Sequence, residues 1–277
     1  MPLAKLDDVS IYYDEQGAGD TLVLIPGLGF DHRYYRFAVP ILSQHYRVIS
    51  VDPRGIGQST KAPPPYEVEV WAADFVKLIP QLSDGPVHVL GTSLGGAMAL
   101  AVAESAPGLV RTLSVIGAFS ELDRAAQINF ALRSRLIERL GLSDEVATYM
   151  GLWTMSRTFL NTDEGFEQMK LNLSIISKND PVLYKCFVDS VLAWGRVLDP
   201  ADTRPKFTTR LGNIGAPTLV IGSGNDHLIP LSLSKIIADG IAGAELVVMD
   251  EGGHIPFIER PKDACDIVLR FLGKHGR

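Results

Sequence analysis

Val87-His88-Val89-Leu90-Gly91-Thr92-Ser93-Leu94-Gly95-Gly96-Ala97-Met98 is the stretch that decides the fold. A short apolar run ends in Gly-x-Ser-x-Gly and continues into small residues with a helical pattern. This is the pattern of a strand, a sharp turn and a helix, with the serine at the apex. The turn lifts the serine hydroxyl above the sheet edge. Gly91 and Gly95 leave room where a Cβ would collide with a neighbouring strand or helix. The helix begins under Ser93, so its N-terminus and the Leu94 N–H face any negative charge that develops there. Alone, the pattern is loose and fits a simple strand-to-helix turn as well. The flanking chain narrows the choice.

Upstream, Thr21-Leu22-Val23-Leu24-Ile25 is continuously apolar, the mark of a strand buried on both faces. It ends in Pro26-Gly27-Leu28-Gly29-Phe30. Ser10 to Glu15 alternates weakly and reads as an edge strand. Tyr46 to Asp52 reads as another strand, and residues 33–45 and 67–82 have helical spacing. Downstream, Leu94 to Ala106 is apolar nearly all round, which predicts a buried helix, and Val110 to Gly117 is the next strand. The alternation of strand and helix demands a mostly parallel sheet covered on both faces.

The pattern changes over residues 119–210, which contain no strand signal. Ile128, Leu132, Leu136 and Leu140 repeat every four residues up to Gly141 and predict a helix with a C-terminal glycine. Phe166, Met169, Leu173 and Ile176 mark a second helix. Asp180-Pro181 starts a third, with Leu183, Phe187, Val191 and Trp194 on one face. Sheet pattern resumes at Pro217–Gly222, followed by a helix over 231–241, a strand at Glu245–Met249 and a last helix over 261–272. The expected fold is α/β. A doubly wound, mostly parallel sheet forms a core from residues 1–118 and 211–277, and an all-helical cap is inserted at 119–210.

A chain of 277 residues, 46% hydrophobic, suits one large α/β domain with such an insertion. The net charge of −6, without a basic run, argues against nucleic acid and against an anionic membrane surface. Cys186 and Cys265 lie too far apart for a disulfide framework or zinc spacing, and read as core thiols in a reducing compartment. The first residues lack a charged leader, and no run approaches the ~18 apolar residues of a membrane span. The expectation is a cytoplasmic protein whose partner is a small-molecule substrate.

In open parallel sheets, function collects beyond the carboxyl ends of the strands. Pro26-Gly27-Leu28-Gly29 stands there, as do Ser93, the run Gly222-Ser223-Gly224-Asn225-Asp226 and the run Asp250-Glu251-Gly252-Gly253-His254. Serine, aspartate and histidine fall on one rim in the chain order that this elbow expects. His254 also fits a plain turn residue, and Asp250 or Glu251 could replace Asp226 as its orienting partner.

With these motifs in place, the chain resembles a capped serine enzyme of the α/β-hydrolase fold superfamily. The resemblance is to the group of esterases, lactonases, C–C hydrolases and cofactor-free perhydrolases. It rests on the loop at 26–29, Asp-x-Arg-Gly-x-Gly-x-Ser at 52–59, the elbow at 91–95, Asp226, and Gly-Gly-His at 252–254. Two departures stand out. Pro26-Gly27 occupies a position where many relatives carry His-Gly, and Thr92 precedes the serine where many carry a larger residue. The resemblance implies that Ser93 attacks an acyl carbon, His254 shuttles the proton and Asp226 fixes the histidine tautomer. The Leu28 and Leu94 N–H groups would form the oxyanion hole. It implies no cofactor and no metal. The Gly55-x-Gly57 pair lacks the context of a dinucleotide site.

His32, Trp153, Phe159 and Trp194 are candidates for the substrate pocket. His88 reads as a core histidine, and Asp52 and Arg54 as organisers of their own loop. The expected activity is hydrolysis of a carboxylic ester or lactone of a mid-sized, largely apolar substrate. C–C hydrolysis or perhydrolysis by the same triad, and a receptor without turnover, are the alternatives. The lack of a basic cluster weighs against highly anionic substrates.

Overall fold

The continuous apolar runs become strands buried on both faces. In the computed structural model, which describes residues 2–195 and 205–276, Thr21–Ile25 and Val87–Thr92 are buried throughout. In chain order the strands are β1 (Leu3–Lys5), β2 (Ser10–Gln16), β3 (Thr21–Ile25), β4 (Arg47–Val51), β5 (Val87–Thr92), β6 (Val110–Ile116), β7 (Thr218–Ser223) and β8 (Glu245–Met249). They form one 8-stranded sheet in the order β1-β2-β4-β3-β5-β6-β7-β8. The β1/β2 and β2/β4 pairs are antiparallel, and every other pair is parallel. β2 is therefore not the edge strand that its weak alternation suggested. The edge belongs to β1, whose three residues are too few to show a period.

The first helical elements are short. Where one helix was expected over 33–45, a 3-10 turn at His32–Tyr35 is followed by α1 (Val39–Leu42). Pro40 explains the break, because it has no N–H and its ring crowds the preceding turn. α2 (Val68–Leu82) and α3 (Leu94–Ser105) pack together beside the sheet, and α3 is buried from Leu94 to Ala103.

Between β6 and β7 the described residues are helical: α4 (Arg124–Leu140), α5 (Asp144–Thr154), α6 (Arg157–Leu160), α7 (Asp163–Ile176), α8 (Pro181–Gly195), and a 3-10 segment at Phe207–Asn213. The stretch expected to be all-helical, 119–210, includes residues 196–204, which lie outside the described residues. α9 (Leu231–Gly240), α10 (Pro256–Glu259) and α11 (Pro261–Lys274) complete the chain.

α4 does not bury the stripe that its sequence advertises. Ile128 and Leu140 are each 56% exposed, whereas Phe130, Arg133 and Ile137 are buried. The face turned inward belongs to the neighbouring i, i+3, i+4 set, which carries Ala126, Asn129, Phe130, Arg133 and Ile137. The thiols differ as well. Cys265 is a core residue, but Cys186 is only half-buried.

The order β4-β3-β5 places the topological switch point between β3 and β5. In sheets of this kind, the crevice outside the carboxyl ends at that point receives ligands. The loop at 26–29 leaves β3 there, and Ser93 leaves β5 beside it.

Candidate active site

Ser93 is held in a backbone conformation that L-residues rarely adopt, φ 55° and ψ −121°. Such a conformation costs on the order of 1–3 kcal/mol and persists only where the surroundings enforce it. Here they do. The Ser93 N–H donates to the Ile116 carbonyl at 2.9 Å, and its own carbonyl accepts the Ala97 N–H at 3.1 Å. A Cβ on Gly91 would strike the Gly95 carbonyl, and a Cβ on Gly95 would strike the carbonyls of Ile25 and Pro26. The two elbow glycines thus permit the approach of β5, α3 and the end of β3. Thr92 is fixed from the side by the Tyr35 hydroxyl, 3.0 Å from Thr92 Oγ1, which also donates to the Ile25 carbonyl at 2.9 Å.

Asp226 follows β7, and both of its carboxylate oxygens are engaged. Oδ1 accepts the N–H groups of Leu228 and Ile229 at 2.9 and 2.8 Å, and Oδ2 lies 2.7 Å from His254 Nδ1. A carboxylate only accepts, so His254 carries a proton on Nδ1, and Nε2 lies on the far side of the ring. Ser93, Asp226 and His254 are 6%, 4% and 3% exposed.

Ser93 and His254 line one cavity together with Gly27, Leu28, Leu228 and Ile255 of the sheet rim. Among the described residues no hydrogen bond joins the Ser93 hydroxyl to His254. In unliganded enzymes such bonds are often long and tighten with substrate in place. Leu94 follows Ser93 at the start of α3, and Leu28 lines the cavity in the loop beside it. Gly27 is close to Ser93: a Cβ there would be 3.3 Å from Ser93 Cβ. The helical segment reaches this loop too, since Asn179 Nδ2 donates to the Gly29 carbonyl at 2.9 Å.

The helical segment also grips the histidine loop. The His254 N–H donates to the Thr154 carbonyl at 2.9 Å. Glu259 accepts the Ser156 N–H on Oε1 at 3.1 Å and the Gly253 N–H on Oε2 at 3.2 Å. Burial pushes the Glu259 carboxyl above its ordinary value. Sequence reasoning missed Glu259, because an isolated glutamate in a short helix carries no pattern.

None of the four candidate pocket residues lines this cavity. His32 instead donates its backbone N–H to Asp52 Oδ1 at 2.7 Å and sets Nδ1 at 2.7 Å from the same oxygen. Trp194 is turned away by its stack on Phe207, 4.5 Å between centroids, and by its Nε1–H bond to the Phe119 carbonyl at 3.1 Å. Trp153 packs edge-on against Tyr149, and Phe159 sits at the corner between α6 and α7. The wall is built from Phe130 and Arg133 of α4, Met150 and Thr154 of α5, Met155, Met169, Asn172 and Leu173 of α7, and Tyr184 of α8. The i, i+3 spacings 130/133 and 169/172 carried this information, but the leucine stripe on α4 masked it.

The other groups singled out in the sequence are structural. Asp52 accepts the Gln58 N–H at 2.8 Å in addition to its two bonds from His32. Arg54 lies between Asp74 and Asp8, with N–O distances of 2.6 to 2.9 Å. Asp31, His32 and Asp52 bring one ligand-type atom each within 4.8 Å of one another. The Asp31 carboxylate is bound by the Arg33 guanidinium and Asp52 by three N–H groups, so the cluster is accounted for without an ion. Burial lowers the His88 pKa to about 4, and its Nδ1 lies 2.8 Å from Thr112 Oγ1.

The geometry agrees with what the chain is similar to. The sequence profile of the alpha/beta hydrolase fold matches residues 20–261. A protein of Azorhizobium caulinodans provisionally named carbamate hydrolase RutD is 25% identical over 276 residues, 99% of each chain. A pyrrolizixenacetamide deacetylase of Xenorhabdus hominickii is 29% identical over 279 residues, 98% of each chain. Among solved structures, the enol-lactonase of Burkholderia xenovorans LB400 superposes with a TM-score of 0.87 at 21% identity, covering 98% of this chain and all of that one. At that identity the likeness speaks for the fold. Among the described residues no helix is long and apolar enough to cross a membrane.

Proposed function

The chain belongs to the alpha/beta hydrolase fold family, and from that premise we propose that it is a serine hydrolase that opens a carboxylic ester or lactone through an acyl-enzyme on Ser93. The observation that carries this reading is the shared cavity. A strained elbow serine and a histidine held by a buried aspartate face the same space.

In this reaction His254 Nε2 removes the Ser93 proton as Oγ attacks the acyl carbon. Asp226 holds the tautomer and stabilises the imidazolium. The N–H groups of Leu28 and Leu94 receive the developing oxyanion, a contribution of about 3 kcal/mol per donor. The imidazolium then protonates the leaving oxygen. Water repeats the sequence on the acyl-enzyme and restores Ser93. The wall supports a mid-sized substrate with an apolar body, since Phe130, Met150, Met155, Met169 and Leu173 supply most of it.

The test is turnover of graded p-nitrophenyl esters and lactones by the wild type and Ser93→Ala. An aryl acetamide and a carbamate belong in the panel because of the relatives' names. Ser93→Ala is expected to lose turnover by about 10⁴-fold or more. A fluorophosphonate is expected to label the wild type and not the variant. Absence of both turnover and labelling overturns the reading.

A further inference from the structure

We propose that the substrate carries a single negative charge, a carboxylate, which Arg133 and Asn172 hold in the cavity while its acyl carbon lies at Ser93. The inference rests on the hydrolase reading for the second half of that statement only.

Arg133 is 2% exposed and lines the cavity. Its Nε and Nη2 have no hydrogen-bond partner, and among the described residues no carboxylate pairs with it. Its guanidinium lies over the Phe130 ring, with Cζ 5.1 Å from the centroid. Burial lowers its pKa to about 10, so the guanidinium stays charged at neutral pH. A buried charge without a counterion is strongly unfavourable. The fold does not relieve it internally, although Asn129, one helical turn away on α4, has its own unpartnered oxygen.

Asn172 supplies the second donor. Its Oδ1 accepts from Arg36 Nη2 at 3.1 Å. A guanidinium can only donate, so this bond fixes which amide atom faces which way. The amide nitrogen has no partner, and Asn172 lines the cavity. Arg133 and Asn172 thus bring this wall donors without acceptors. Among the lining residues no aspartate or glutamate is present.

A planar guanidinium and an amide N–H₂ lining the same cavity match a carboxylate, which takes two parallel donors from the fork. With one cation on this wall, a phosphate monoester would leave its second charge unmatched. The ligand class is thus an apolar body with a hydrolysable acyl group and a carboxylate at another point.

The experiment compares monoethyl esters of dicarboxylic acids of graded length with ethyl alkanoates of the same length. At the best length, the wild type is expected to favour the monoethyl dicarboxylate in kcat/KM. Arg133→Met is expected to reduce that preference about 10- to 100-fold, the range for a hydrogen bond to a charged group. Arg133→Lys, which keeps the charge but not the fork, is expected to retain part of it. Arg133→Met is expected to melt at or above the wild-type temperature, which separates loss of recognition from misfolding.

Equal use of both ester series by the wild type, or an unchanged ratio in Arg133→Met, overturns the inference while the hydrolase reading stands. If neither series is turned over, calorimetric titration with the monoethyl esters decides. Binding that Arg133→Met weakens at least about 10-fold upholds the anion site alone. No binding overturns it.

Discussion

Asp52 shows how one buried carboxylate organises a loop system without touching substrate. It gathers two bonds from His32 and one from Gln58 at the rim. Burial opposes the charge on His32, but the Asp52 hydrogen bond and the charges of Asp52, Asp31 and Asp14 outweigh it and raise the pKa above 6.5. A raised histidine pKa contributes stability that is fully present below the unfolded value. That stability fades as pH rises through the folded value. His32→Gln is therefore expected to cost about 1 kcal/mol more near pH 5.5 than near pH 9, since it removes a charge-assisted bond at the lower pH. Urea melts at the two pH values measure this. An equal cost at both shows that His32 carries no charge at either pH.

At the scale of elements, α4 is where pattern and packing part company. The strands were legible because β3 and β5 are apolar throughout and buried on both faces, so any register gives the same signal. The elbow was legible because its glycines answer to backbone clashes, which allow no substitute. α4 was not legible in the same way. Its inner face holds Asn129 and Arg133, whereas Ile128 and Leu140, the two ends of the predicted stripe, are exposed. Polar residues at inward positions defeat an argument from hydrophobic periodicity, and functional sites are where such departures from pattern are expected. Trp153, Phe159 and Trp194 stay out of the cavity wall for a related reason, since these aromatics of the helical layer serve as packing. The assignment of faces has its own check. Phe130→Ala is expected to cost about 3–5 kcal/mol as a core truncation. Ile128→Lys, on the opposite face, is expected to stay within about 0.5 kcal/mol of the wild type. Comparable costs for the two would mean that the helix is rotated.

For the molecule as a whole, the decisive contacts run between the helical segment and the sheet rim. Glu259 joins them, with one oxygen on Ser156 and the other on Gly253, next to His254. Glu259→Ala leaves two N–H groups without their acceptor. About 1–3 kcal/mol of stability is expected to go with each if it stays buried. Because Gly253 adjoins His254, kcat is expected to fall more than KM rises. Chemical denaturation and steady-state kinetics on one preparation measure both. A loss of stability with unchanged kcat would show that Glu259 serves folding alone.

The carbonyl of Thr154 has a consequence of a different kind. The helical segment departs after β6 and returns at β7, which are adjacent strands, so its length places no demand on the register of the sheet. Such a segment can be replaced as a unit, with new side chains set over an unchanged Ser93. The exchange is constrained at one short turn. Whatever sequence replaces residues 154–156 must still offer a carbonyl to the His254 N–H and an N–H to Glu259. Both requirements are met by backbone atoms, so a change of side chain in that turn leaves the two bonds in place wherever the residue at 156 keeps its N–H.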